Sequence, residues 1–314
     1  MAIFLGIDGG GSKTSCLIGD ETSVLGTGTA AGSNIVRVGE AQARESLASA
    51  IRQACTVANL KPSQITRVCV GLAGAGRPEI SERVKSIVWE LISGEITPSP
   101  ISPEAINVVG DMVIALEAAF GDGPGVIVIA GTGSIAYGRG RDGQIARAGG
   151  WGFAISDEGS GHWIGRNALA ASLRAWDESQ TEHAPLLEGL MKSWKIETRE
   201  KLVLAANATP PPDFAGLFPA VMDLANSGDP LARDVLTQAG IQLADRAGIV
   251  IRRLFLNSGS IPVAMSGGVF RSSALVRQVF YNSLRSECTE AILNPGVIEP
   301  VRGALEIARK GVEK

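Results

Sequence analysis

Four cysteines in 314 residues, at Cys16, Cys55, Cys69 and Cys288, are few and far apart. No two form a CxxC pair, which argues against zinc, an iron–sulfur cluster and a disulfide framework, and fits a reduced, cytoplasmic compartment. Histidine is scarcer still. His162 and His183 are the only two, and no His–Ser–Asp or His–Cys spacing supports histidine-based hydrolysis. His162, beside Trp163 on a predicted helix, reads as a packing residue. No apolar run approaches the roughly 18 residues that span a bilayer, and the N-terminus offers no basic n-region or cleavage site. An arginine-rich stripe with interleaved aromatics is also missing, and the net charge is −3. Neither nucleic acid nor membrane is therefore expected as a partner.

Glycine is abundant: 39 residues, against an average usage of about 7%. The glycines cluster in short turns, where they permit tight bends and close ligand approach. The densest turn is Asp8-Gly9-Gly10-Gly11-Ser12-Lys13-Thr14, between the apolar runs Ile3–Ile7 and Cys16–Ile18. A second strand–turn–strand runs from Val126 to Tyr137, with Gly131-Thr132-Gly133-Ser134 at its bend. Neither is a P-loop: Ser12 separates Gly11 from Lys13, and strand, not helix, follows Thr14. Two dinucleotide-type patterns, Gly26-x-Gly28-x-x-Ala31 and Gly131-x-Gly133-x-x-Ala136, lack the strand-to-helix context and read as chance. Hairpin turns presenting backbone N–H groups to phosphate remain, and two of them point to a nucleotide clamped between two halves.

Length alone predicts two domains. Strands are expected at Ile3–Ile7, Thr14–Gly19, Ser23–Thr29, Arg67–Leu72 and Ile106–Val109, with helices at Glu40–Ala58, Pro78–Ile92 and Met112–Phe120. After the turn-rich 121–125 the order restarts with strands at Val126–Ala130, Ile135–Arg139 and around Ile145. This is read as an internal duplication. Helices then dominate (His162–Ala175, Ala184–Trp194, Phe214–Asn226, Pro230–Leu256), with Thr209 to Asp213 as a stiff connector. The strand Ile261–Met265 opens into Ser266-Gly267-Gly268, and a helix over 299–314 closes the chain. The expected domains are 1–120 and 121–298, with a helical insertion at about 160–256 and the last helix returning to the first domain.

Asp8, at the end of a strand against three glycines, is the candidate to hold Mg²⁺ through water near nucleotide phosphates. Asp111 follows Asn107-Val108-Val109-Gly110 at a strand-to-helix junction. It reads either as a helix cap or as a general base accepting a hydroxyl proton during phosphoryl transfer. In Gly149-Gly150-Trp151-Gly152-Phe153 the aromatics can wall a sugar ring, and Asp157 and Glu158 can accept hydroxyl hydrogen bonds.

The order DGGGSKT, Gly110-Asp111, AGTGS, GGWGFAISDEGS and SGGVF resembles the N-acetylglucosamine kinases of the BadF/BadG/BcrA/BcrD group, nearly end to end. The resemblance implies an α/β fold of two ribonuclease-H-like (actin-like ATPase) domains with mixed sheets around a central cleft, taking ATP, Mg²⁺ and an amino sugar. It implies that Ser12 and Thr132 touch phosphate, with Gly10, Gly11, Lys13 and Gly133 on the same turns. Gly216, Gly268 and Ser272 would border the adenosine. Asn34, Ser134, Gly150, Trp151 and Asp157 would hold the sugar, and Asp111 would activate its 6-hydroxyl. Ile35-Val36 follow Asn34 where mammalian members have His-Trp, and Ile135 replaces an asparagine beside the sugar. N-acetylglucosamine is the first expectation, with glucosamine and N-acetylmuramic acid open. A homodimer is a family expectation. A dehydratase activator from the same group would need cysteines before the second glycine turn, and Val126–Ala130 has none. A silent sugar sensor is disfavoured by the presence of both Asp8 and Asp111.

Overall fold

The computed structural model describes residues 2–75, 77–94, 101–179, 184–256 and 259–311. His183 lies outside them. The chain divides into two compact units, residues 1–123 with 298–314 and residues 124–297.

The first unit is built on five strands, β1 (Phe4–Gly9), β2 (Lys13–Gly19), β3 (Val24–Ala31), β4 (Arg67–Leu72) and β5 (Ile106–Gly110), in the order β3-β2-β1-β4-β5. β1, β2 and β3 are antiparallel neighbours, while β4 runs parallel to both β1 and β5. Alternation along β1 decides what covers each face. Leu5 and Ile7 enter a core with Leu47 and Ile51 of α2 (Glu40–Ala58) and with Val84 and Ile87 of α3 (Pro78–Ser93). Phe4 enters a second core with Ile114 of α4 (Asp111–Phe120) and Leu305 of α12 (Pro300–Lys310).

Two glycines set these distances. A Cβ on Gly303 would fall onto the Ile114 carbonyl, so α12 seats directly on the backbone of α4. A Cβ on Gly28 would likewise strike the Ala50 carbonyl of α2. The Gly26-x-Gly28 pattern therefore has a physical cause, the close seating of α2 on β3, rather than nucleotide binding. A short helix, α1 (Ile35–Val38), precedes α2.

The second unit repeats the strand order. Its sheet runs β10-β9-β6-β7-β8, from β6 (Gly125–Ala130), β7 (Ser134–Arg139), β8 (Ile145–Gly149), β9 (Ile261–Ser266) and β10 (Ala291–Ile298). β6 pairs antiparallel with β7 and parallel with β9, matching β1 with its two neighbours. Between β8 and β9 lie α5 (Gly161–Ser179), α6 (Pro185–Ser193), α7 (Arg199–Ala206), α8 (Phe218–Asn226) and α9 (Pro230–Leu254). After β9 come α10 (Gly268–Ser272) and α11 (Ala274–Glu287). A single core holds them, from Val126 and Val128 through Leu243 and Val250 of α9 to Phe270 and Phe280.

Several bounds differ from expectation. The single helix expected over Phe214–Asn226 opens with a 3-10 turn, Phe214–Leu217. α9 stops at Leu254, and the last helix begins at Pro300. α1, α7, α10, α11 and β10 had not been assigned. β10 carries Asn294-Pro295-Gly296, a turn signal that a sheet edge tolerates, because an edge strand has no neighbour waiting for the missing N–H.

Candidate active site

In the first unit the three parallel strands β1, β4 and β5 end side by side, and open α/β sheets bind ligands at such carboxyl ends. Asp8 is the penultimate residue of β1, in register with Ser15 of β2 and Gly71 of β4. Its even position puts it on the face of Phe4 and Gly6, the face covered by α4 and α12. Asp111 is the first residue of α4, directly after β5, on that same side. With β4 between them, the two backbones stand on the order of 10 Å apart, two strand spacings.

Asp111 is not the helix cap; Gly110 takes that position. The Asp111 carboxylate accepts the Met112 N–H at 3.0 Å. Burial pushes its carboxyl above the ordinary value, against the amides of Met112 and of Asp111 itself, which lower it. A carboxylate that holds its proton more firmly than usual is a better proton acceptor.

The turn after Asp8 is closed by the Gly10 N–H donating to the Lys13 carbonyl at 2.9 Å. Ser12 and Lys13 are exposed, Gly10 and Gly11 partly so. The Gly10 carbonyl accepts from the amides of both Ser33 (3.1 Å) and Asn34 (3.2 Å). Thr14, fully buried, donates to the Ala31 carbonyl and pairs with the Ser33 hydroxyl. The glycine turn and the segment carrying Asn34 are thus one hydrogen-bonded body. Asn34 caps α1, its side-chain oxygen accepting from Val36 N–H at 3.1 Å.

Asp8 supplies one hard oxygen donor beside a turn without bulky side chains, and among the described residues no group of three His, Cys, Asp or Glu is placed to hold a metal ion. One carboxylate and open backbone fit Mg²⁺, which keeps several waters and leans on substrate phosphates.

In the second unit the equivalent turn follows β6, where Ile129 stands in place of Asp8. Gly131 donates to the Gly133 carbonyl at 2.9 Å. The first amides of α5 dock onto this turn: Gly161 N–H donates to Gly131 and His162 N–H to Thr132. Gly267, at φ 101°, passes against the Ala130 backbone, where a Cβ would clash. Gly216 lies in the 3-10 turn that borders α5, and its N–H is capped by Asp213 at 3.2 Å. Gly131 and Gly268 both face open space where a Cβ would stand. Ser272, exposed, ends α10 one turn beyond Gly268. The structure therefore gathers Thr132, Gly133 and Gly268 at the carboxyl ends of β6 and β9, with Gly216 beside α5.

The loop after β8 lies on the same turn from the other side. Asp157, buried and at φ 65°, sets its carboxylate against Gly133, where a Cβ would come within 2.8 Å. The buried Ser134 hydroxyl donates to the Glu158 carbonyl at 2.7 Å. Glu158 itself is engaged: Arg246 of α9 pairs with it at 2.9 Å, and Ser156 donates to it at 3.1 Å. Partial burial pushes the Glu158 carboxyl up, but Arg246, its own amide and Ser156 outweigh that and hold it below the ordinary value. Of the two acids read as hydroxyl acceptors, Glu158 is thus a brace for the loop. Arg246 was invisible in the sequence, because its partner lies 88 residues away. Gly150, at φ 70°, abuts Ile135, and Trp151 is 64% exposed. His162 packs between Phe153 and Phe214, with ring centroids 5.0 and 5.1 Å away.

All four cysteines are buried, Cys16, Cys55 and Cys69 in the first unit and Cys288 in the second. Among the described residues no helix is long and apolar enough to cross a membrane.

Comparison with known proteins agrees with this architecture. N-acetylmuramic acid/N-acetylglucosamine kinase of Clostridium acetobutylicum is 30% identical over 277 residues, 87% of each chain. N-acetyl-D-glucosamine kinase of Dictyostelium discoideum is 29% identical over 98% of this chain and 97% of its own. A solved structure from Chromobacterium violaceum, assigned as an N-acetylglucosamine kinase, superposes with a TM-score of 0.74 at 26% identity, covering 98% and 99% of the two chains. The BadF/BadG/BcrA/BcrD ATPase family model matches residues 5–308. With two mixed five-stranded sheets of repeated order, the chain is an α/β protein of the actin-like ATPase fold and belongs to the BadF/BadG/BcrA/BcrD ATPase family.

Proposed function

We propose that this ATP-dependent sugar kinase phosphorylates the 6-hydroxyl of an amino sugar, with N-acetyl-D-glucosamine as its first substrate. Asp111 carries the reading: a carboxyl of raised proton affinity at the carboxyl end of β5, on the sheet face that also bears Asp8. Such a base orients a hydroxyl and takes its proton as the phosphoryl group moves. Asp8 would hold Mg²⁺ through water, and a bound ion there supplies positive charge to the transferring phosphate.

The remaining roles follow the exposed turns. Amides of Gly11, Ser12 and Lys13 in the first unit, and of Thr132 and Gly133 in the second, would face phosphate oxygens, while Gly10, whose N–H closes the first turn, would shape it. Gly216, Gly268 and Ser272 would border the adenosine, while Asn34, Ser134, Gly150, Trp151 and Asp157 would hold the sugar. Two relatives, those described above, are named for N-acetylglucosamine, which supports that choice; one is also named for N-acetylmuramic acid, and a further one, of Vibrio cholerae, is named a glucosamine kinase. An activator that shares an iron–sulfur cluster needs surface thiolates, and burial of all four cysteines favours the kinase instead.

The test is ADP release over N-acetylglucosamine, glucosamine, N-acetylmuramic acid, N-acetylmannosamine and glucose, with the phosphorylated carbon read by NMR. Turnover with an amino sugar and phosphate on carbon 6 is expected. No sugar-dependent turnover would defeat the reading.

A further inference from the structure

Arg147 stands on β8, half-buried, opposite Tyr137 in the β7–β8 register. Its guanidinium carbon lies 4.1 Å from the centre of the Trp151 ring. Its backbone is anchored, because Arg253 donates to the Arg147 carbonyl at 3.0 Å. Among the described residues no carboxylate pairs with this guanidinium, whereas Arg246 of α9 has Glu158. The stack on the indole fixes the plane of the fork and leaves its edge N–H groups unused.

Its surroundings make this unpaired charge informative. Ala148, Gly149 and Gly150 connect Arg147 to Trp151, and the two glycines have positive φ, with Gly150 against Ile135 of β7. Ile135 fills the space beside Gly150, so that side of the loop is closed and apolar. Next along the loop comes Trp151, exposed and carrying the Arg147 fork on its ring. A planar guanidinium held on an aromatic face suits two-point recognition of a carboxylate.

We propose that Arg147, laid over Trp151, is the carboxylate-recognising side chain of the sugar site, making amino sugars with an acidic ether substituent substrates alongside neutral ones. This rests on the assignment of Gly150 and Trp151 to the sugar side. N-acetylmuramic acid is the probe, because its lactyl ether adds one carboxylate to the N-acetylglucosamine frame.

The experiment compares kcat/KM for N-acetylmuramic acid, N-acetylglucosamine and ATP in the wild type, Arg147→Gln and Arg147→Lys. In Arg147→Gln the ratio of acidic to neutral sugar should fall about 10- to 100-fold, the range for losing a hydrogen bond to a charged group. The loss should lie in KM, and Arg147→Lys should restore part of it, since it keeps the charge but not the fork. Three results would overturn the proposal: an unchanged ratio in Arg147→Gln, a change in KM for ATP instead, or a wild type active on the neutral sugar only. A wild type inert towards every sugar would sink the kinase reading instead. Calorimetric titration of N-acetylmuramic acid into the wild type and Arg147→Gln would then decide the role of Arg147 separately.

Discussion

Replacing Asp111 by asparagine changes one property and few others. Asparagine retains the volume and the side-chain oxygen that accepts from Met112 N–H at 3.0 Å, so the start of α4 survives. What it loses is the proton acceptor. A positioned general base contributes roughly 10²–10⁴-fold, or about 3–5 kcal/mol of barrier, and kcat should fall by that factor. ATP affinity, measured by calorimetry, should hold.

Stability should move the other way. Because burial raises the folded value of the Asp111 carboxyl above its unfolded value, ionising it opposes folding. Asp111→Asn should therefore melt higher than the wild type at neutral pH. The gap should narrow as pH falls below the raised folded value and vanish below the ordinary unfolded value, where the group is neutral in both states. The same elevation sets the acid limb of the wild-type rate: activity should be lost as pH falls through a value above the ordinary carboxylate range. An Asn variant with wild-type kcat would refute the reasoning. So would one whose lost activity follows a lowered melting temperature.

Three further perturbations test the architecture. Gly303→Ala should destabilise the first unit by about 1–3 kcal/mol, seen as a lower melting temperature, because the new methyl meets the Ile114 carbonyl. Arg246→Ala should release the Glu158 brace and cost roughly 1–2 kcal/mol of stability near neutral pH. Since the folded Glu158 value is depressed, that contribution is present above the unfolded value and fades as pH drops through the folded one; melting curves at several pH values would show it. Finally, native protein should react slowly with a thiol reagent at mildly alkaline pH, because burial pushes Cys55 up to about 11 and Cys69 to about 12 and raises Cys16 and Cys288 as well. Denaturant should release all four thiols; rapid labelling of the native chain would contradict the burial.

What could be read from the sequence was local. α2 is legible over its observed span because its apolar residues repeat at helical spacing; the structure adds that Asn59 ends it in a left-handed conformation. The first strands of each unit were visible as apolar runs cut by glycine. β10 was not, since Asn294-Pro295-Gly296 mimics a turn and only its edge position reconciles it with a sheet. α7 escaped because its residues mark no clear apolar face, and only Leu202 is buried. In the candidate site, Asp8 and Asp111 stood out because strand ends and glycine turns are sequence-local. The Glu158–Arg246 brace and the Arg147–Trp151 stack depend on chain folding back, across 88 residues in the first case, and no spacing rule anticipates them.

The single carbonyl of Gly10, shared by the amides of Ser33 and Asn34, reaches beyond local rigidity. On the roles proposed above, it ties a phosphate-facing turn to a sugar-facing side chain, so neither can shift without the other. If one ligand shifts this body, the other is thermodynamically linked to it. Any factor by which nucleotide changes sugar affinity must equal the factor by which sugar changes nucleotide affinity. In such a kinase, readiness for ATP would depend on whether a sugar is already bound.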